Sequence, residues 1–336
     1  MKVFKIAAGI IFLILTITAC KQKRHKADIS DMELGINFTR MDTRLFNIPL
    51  NELEDSVLQI VENHNQFMEL YSMHILGIGS PYEKDYIANL QSFITDYTMN
   101  QVYEETIDKI PETKGLEDDI EKAFKRYHYF FPDKPIPNVY FFHGGFNQSL
   151  LLANDVLAIG TDRYLGIDCK FYPRLGIPKY QSQHMYPEKI PGDAMKAWIS
   201  TEFIYNDSID NVSNHLVYHG KIQYCLDYLL PSKHDSIKFN YTAKEVEWCR
   251  ANEKIMWEYL IDRDLLFSRD YMTINKMVHI APYTSGFPKE SPGQAVLWIG
   301  REIVRSYMKH HSDVTLYELM ENDDYSTIFS ESRYEP

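Results

Sequence analysis

Cysteine is scarce in this chain, with four in 336 residues, so a disulfide scaffold is excluded. Three of them, Cys169, Cys225 and Cys249, follow Cys20, and an odd number cannot all pair internally. Cys225 and Cys249 fall on helical patterns and read as small buried hydrophobes. Basic charge is also in deficit. Lys plus Arg is 35 against 47 for Asp plus Glu, a net charge of -12, which disfavours a nucleic-acid binder held by phosphate contacts and disfavours acidic ligands in general. Glycine and proline, at 15 each, are too few for collagen-like or low-complexity sequence. Beyond Ala27 no apolar run approaches the ~20 residues that a membrane-spanning helix needs. There is no Walker A loop, no G-x-G-x-x-G after a strand, no G-x-S-x-G elbow and no C-x-x-C.

What the chain does have begins at its first residue. Lys2 and Lys5 precede the apolar run Ile6–Ala19, which ends at Cys20. The run is too short for a permanent anchor and has the length of an export signal. Its end, Ile17-Thr18-Ala19-Cys20, resembles the lipobox of bacterial lipoproteins, in which the cysteine is acylated after cleavage. Residues 1–19 therefore read as a lipoprotein signal peptide. Residues 20–31 read as an acylated basic tether, in which Lys21, Lys23, Arg24 and Lys26 can each gain about 1 kcal/mol near anionic headgroups. Acylation at Cys20 would make the lipid bilayer a partner and place the body outside the cytoplasm, facing the periplasm.

The rest, residues 32–336, shows no repeat, long linker or compositional break and reads as one globular domain. Hydrophobic residues make up 45% and aromatics 14%, enough for a substantial core. Ile36 to Asp42 suggests a short strand, and helical spacing follows from Asn51, then from Tyr86 to Ile110 and from Leu116 to Tyr129. The β-branched and aromatic run Asn138–Phe142 reads as a strand with Val156–Gly160 as its partner. From Gly192 the pattern is nearly all helix, and Ser291-Pro292-Gly293-Gln294 has the form of a capped helix start. The fold class expected is α+β, predominantly helical, with a small sheet ahead of the C-terminal helices.

One constellation could carry chemistry. His215 and His219 are four apart in a helix spanning Val212 to Leu230, which places both imidazoles on one face, as in H-E-x-x-H zinc sites. Leu216 stands where the general-base glutamate of such a site belongs. On the next helix Val246, Cys249, Glu253, Met256 and Leu260 step 3, 4, 3, 4 and form an apolar seam. Glu253, at its centre, must have a partner, because a buried lone carboxylate is costly. If the two seams pack together, His215, His219 and Glu253 converge, either as zinc ligands or as a hydrogen-bonded core cluster. Gly220, in mid-helix, reads as a point of close contact with another helix or as a simple tolerated kink.

Several segments together resemble the gliding-motility lipoprotein family GldB across the mature length. They are Leu157–Gly166, Tyr218–Lys221, Trp248-Cys249 with Asn252-Glu253 and Trp257, Trp298–Met308, and Ser332–Pro336. The resemblance implies a membrane-anchored lipoprotein without established enzymatic activity, working with cell-envelope proteins of the gliding and associated secretion machinery. It also implies a degenerate zincin-like fold, similar to predicted zinc peptidases of the gluzincin type. Two functions then stand: a non-catalytic assembly component, favoured by the missing general base, and a periplasmic zinc peptidase or its metal-binding relic.

Overall fold

The computed structural model describes residues 27–336; the expected signal peptide, Cys20 and most of the expected tether lie outside the described residues. Four strands form one sheet in the order β1-β2-β4-β3, with β1 Phe38–Arg40, β2 Asn138–Phe142, β3 Leu150–Ala153 and β4 Val156–Gly160. β1, β2 and β4 run parallel, and β3 pairs antiparallel with β4 at the edge. β2 and β4 are apolar along their length because both faces of the sheet are covered, as parallel strands require. Val139, Phe141, Leu157 and Ile159 face a large helical core, whereas Tyr140, Phe142, Val156 and Ala158 face a smaller one.

The longer helices are α1 Leu53–Asn63, α2 Tyr86–Ile94, α3 Tyr97–Lys109, α4 Lys114–Phe130, α5 Ile190–Glu202, α6 Val212–Leu229, α7 Ala243–Ala251, α8 Glu253–Asp262, α9 Tyr271–Val278 and α10 Val296–His310. α1 and α2 supply the smaller core through Leu53, Val57, Val61, Tyr86, Leu90 and Ile94. α4, α5, α6 and α10 build the larger one. The architecture is therefore predominantly helical α+β with a small mixed sheet, as expected. Among the described residues no helix is long and apolar enough to cross a membrane.

The centre of the larger core is the crossing of α6 and α10. A Cβ at Gly220 would lie 2.2 Å from the carbonyl oxygen of Gly300, and one at Gly300 would lie 2.2 Å from that of Leu216. The two backbones touch, which accounts for a glycine in the interior of each helix despite its cost in helix propensity.

Three sequence expectations are corrected. The helix read from Asn51 through Phe67 breaks at His64, whose backbone leaves the helical region. The span Tyr86 to Ile110 is two helices, the second capped by Asp96, whose carboxylate accepts from the Met99 N–H at 2.9 Å. The expected helix start at Ser291-Pro292 is displaced to Val296. The Pro292 carbonyl is instead taken by Thr284, and the Thr284 hydroxyl accepts from the Ala295 N–H at 2.7 Å, so the α10 N-terminus is capped from a neighbouring loop. Gln294 is engaged elsewhere: its amide donates to the Val278 carbonyl at 2.5 Å.

Candidate functional site

The histidine pair does lie on one helix, but Glu253 does not join it. The His215 Nε2 is 2.7 Å from Asp210 Oδ1, and its ring stacks on Tyr205 at 4.5 Å between centroids. The His219 ring lies parallel to it at 6.0 Å. Burial, together with Lys196, His215 and His279, pushes the His219 pKa down to about 3, so it is uncharged at neutral pH. Glu253 begins α8, after a break at Asn252 that interrupts the seam read as continuous through Cys249 and Met256. Its carboxylate accepts from the Trp298 indole N–H at 2.8 Å and from the Tyr334 hydroxyl at 2.9 Å. The physical reason is packing order: α10 takes both α6 and α8 as neighbours, and Glu253 turns onto the Trp298 that α10 presents. Among the described residues no group of three or more His, Cys, Asp or Glu is placed to hold a metal ion, so the expected ligand set of His215, His219 and Glu253 is not assembled. Cys169, Cys225 and Cys249 are all buried and free, and burial raises each thiol pKa.

Polar groups gather instead at the carboxyl ends of the parallel strands. Asp42 follows β1, His143 follows β2, and Thr161 and Asp162 follow β4; all four are buried. Asp162 Oδ2 accepts from the backbone N–H groups of Gly144 at 3.1 Å and Phe146 at 2.6 Å, and lies 3.3 Å from His143 Nδ1. Arg40 holds Asp42 through two N–H groups at 2.8 and 3.0 Å, and the Thr161 hydroxyl reaches both Asp42 and the Phe142 carbonyl. Gly145 and Phe146, with φ of 61° and 66°, turn the chain through the left-handed region so that their loop can reach Asp162. These bonds clamp the strand ends together and fix the direction of the residues that follow Asp162.

Those residues, Arg163 and Tyr164, enter a cleft of about 410 Å3 against α5. Asp193 and Lys196, three apart on α5, line it, as do His184 and Gln181. The Tyr164 hydroxyl donates to Asp193 Oδ2 at 3.2 Å. Burial raises the Asp193 pKa against the pull of Lys189 and Lys196, and burial lowers that of Lys196 against Asp193. Burial and Lys189 bring His184 down to about 4. Lys189 itself is spent on the carbonyls of Ser236, at 2.8 Å, and Phe239. Sequence reasoning missed this site. The available signal was the pair Asp193 and Lys196 within the otherwise apolar ridge Ile190, Ala194, Met195, Trp198 and Ile199, an arrangement that places ionisable groups beside a core. A larger cleft of about 630 Å3, between Tyr129, Tyr228 and Tyr317, has no cationic lining residue.

The segments that resembled a family therefore have definite structural work. Leu157–Gly166 forms β4, the strand-end clamp and one wall of the cleft; Glu253, Trp257, Trp298 and Tyr334 meet in one cluster, with the Trp257 and Tyr334 rings 5.1 Å apart. No curated protein and no solved structure matches the chain. Residues 22–336 match the family model described as "Gliding motility protein GldB". With that match covering residues 22–336, the chain belongs to the gliding motility protein GldB family.

Proposed function

We propose that the protein is a lipid-anchored, non-catalytic component of the gliding motility machinery and its associated secretion apparatus, held at the membrane by acylated Cys20 and facing the periplasm. The observation that carries this reading is the family match over residues 22–336. Two features of the residues support it. Leu216 occupies the position where a zinc peptidase needs a general base, a group whose removal typically costs ~10²- to 10⁴-fold in rate. His215 and Glu253 are each committed to other partners, Asp210 for the one and Trp298 with Tyr334 for the other.

The anchor is tested by Cys20→Ser, which is expected to move the protein from the membrane to the soluble fraction and to abolish incorporation of labelled palmitate. A fully membrane-bound variant, with no label on the wild type, would refute it. The non-catalytic role is tested by complementing a deletion strain with His219→Gln, which removes an imidazole and keeps similar bulk and hydrogen bonding. Spreading motility is expected to survive at normal protein abundance. Motility lost while fold, abundance and partner binding stay intact would reinstate chemistry at this histidine.

A further inference from the structure

The cleft beside α5 runs against the charge of the chain as a whole. The net charge of -12 disfavours acidic ligands. Within the cleft, however, the charged lining groups are Arg163, Lys196 and Asp193, two cations against one carboxylate, with His184 neutral. Asp193 is already engaged by the Tyr164 hydroxyl. Arg163 spends Nε on the Ser149 hydroxyl at 3.3 Å and Nη1 on the Phe146 carbonyl at 3.3 Å, and among the described residues it has no carboxylate at ion-pair distance. The Lys196 ammonium likewise has no carboxylate at that distance among the described residues; Asp193 acts on it only from farther away.

His184 also lines the cleft, but its contacts lie within the protein: its Nε2 is 3.1 Å from the Gln183 amide nitrogen and 3.9 Å from Glu245 Oε2. Two cations and one carboxylate around the cavity, a single net positive charge, fit a monoanionic oxygen acid better than a dianion. A cleft of about 410 Å3 admits roughly ten to fifteen non-hydrogen atoms, since each displaced water accounts for about 30 Å3.

We infer that this cleft binds a small carboxylate ligand of amino-acid or dipeptide size, its carboxylate held by Arg163 and Lys196 and its amino end toward Asp193. This site is independent of the anchor and of the histidine pair on α6, so it can fail while the proposed role in motility stands, and the reverse also holds.

The test is calorimetric titration of the purified full chain in detergent with alanyl-alanine, its C-terminal amide and inorganic phosphate. Alanyl-alanine is expected to bind, the amide at least about tenfold more weakly through loss of charge-assisted bonds, and phosphate no more tightly than the dipeptide. Lys196→Gln and Arg163→Gln are each expected to weaken the dipeptide by about tenfold or more, whereas Lys309→Gln, outside the cleft, leaves it unchanged. Because Arg163 also braces a loop, Lys196→Gln and the amide ligand carry the test if Arg163→Gln does not fold. No binding of alanyl-alanine at millimolar concentration, equal binding of the amide, tighter binding of phosphate, or wild-type affinity in a folded Lys196→Gln would each overturn the inference.

Discussion

Gly300→Ala is expected to destabilise the protein by about 3 kcal/mol, and Gly300→Val to prevent folding, although alanine is the better helix former by about 1 kcal/mol. The new Cβ would meet the Leu216 carbonyl oxygen at 2.2 Å and its carbon at 2.9 Å, both backbone atoms that cannot rotate away. α10 would have to withdraw from α6 along the crossing, loosening Val217, Cys225, Ile303 and Val304, which are fully buried. Gly220→Ala should act similarly, because its Cβ would meet the Gly300 carbonyl oxygen at the same distance. The control is Gly115→Ala near the start of α4, where a Cβ meets nothing within 4 Å; it should be neutral or stabilise by about 0.5 kcal/mol. Urea unfolding of the three alanine variants decides the matter. Equal midpoints for Gly300→Ala and Gly115→Ala would mean that the helices do not touch there.

That crossing was legible in the sequence only as a glycine in mid-helix. Periodicity shows which face of an element is buried but not which neighbour buries it, and Glu253 illustrates the gap. Val246, Cys249, Met256 and Leu260 stay in helical register across the break at Asn252, so the pattern reads straight through it. Glu253 found its partners in Trp298 and Tyr334, far along the chain, where no spacing rule reaches. β2 and β4 were readable because the first is rich in aromatics, the second carries Val156 and Ile159, and both are buried on both faces. β3, Leu-Leu-Leu-Ala, has no β-branched residue to mark it and escaped, although Asn154-Asp155 between it and β4 is a plain turn signal. The cleft escaped for a related reason: Arg163, His184 and Lys196 belong to three separate segments that only the folded sheet and α5 bring together.

Arg301→Met is the second substitution expected to cost several kcal/mol, about 3 to 5, despite replacing a charge with an apolar chain of similar reach. The Arg301 side chain is 0% exposed, its guanidinium 4.3 Å from the Trp298 ring centroid and 4.7 Å from that of Phe239. Its Nη1 lies 3.0 Å from Asp235 Oδ2 and its Nε 3.1 Å from Glu302 Oε1. Methionine would keep much of the packing between the rings, so the loss falls on the cluster of Asp227, Asp235 and Glu302, which would keep only Lys238 and Arg305 as cations. Burial raises the Asp235 pKa, but Arg301 and Lys238 outweigh it and hold the carboxyl below its ordinary 3.8. A depressed carboxyl stabilises the fold above its unfolded pKa and gives that contribution up as pH falls through the folded value, so the wild type should weaken below about pH 4. In Arg301→Met the contribution from the Arg301–Asp235 pair is absent at every pH, and protonation of Asp235 and Glu302 relieves their repulsion. The difference between the two proteins is therefore largest near neutral pH and shrinks on acidification. Adding Asp235→Asn should recover part of the loss at pH 7, because it brings three carboxylates against two cations back to two against two. Denaturant unfolding at pH 7 and pH 4 measures both effects. A difference that stays constant with pH, or no rescue by Asp235→Asn, would show that Arg301 stabilises the core through its stacking between Trp298 and Phe239 and not through its charge.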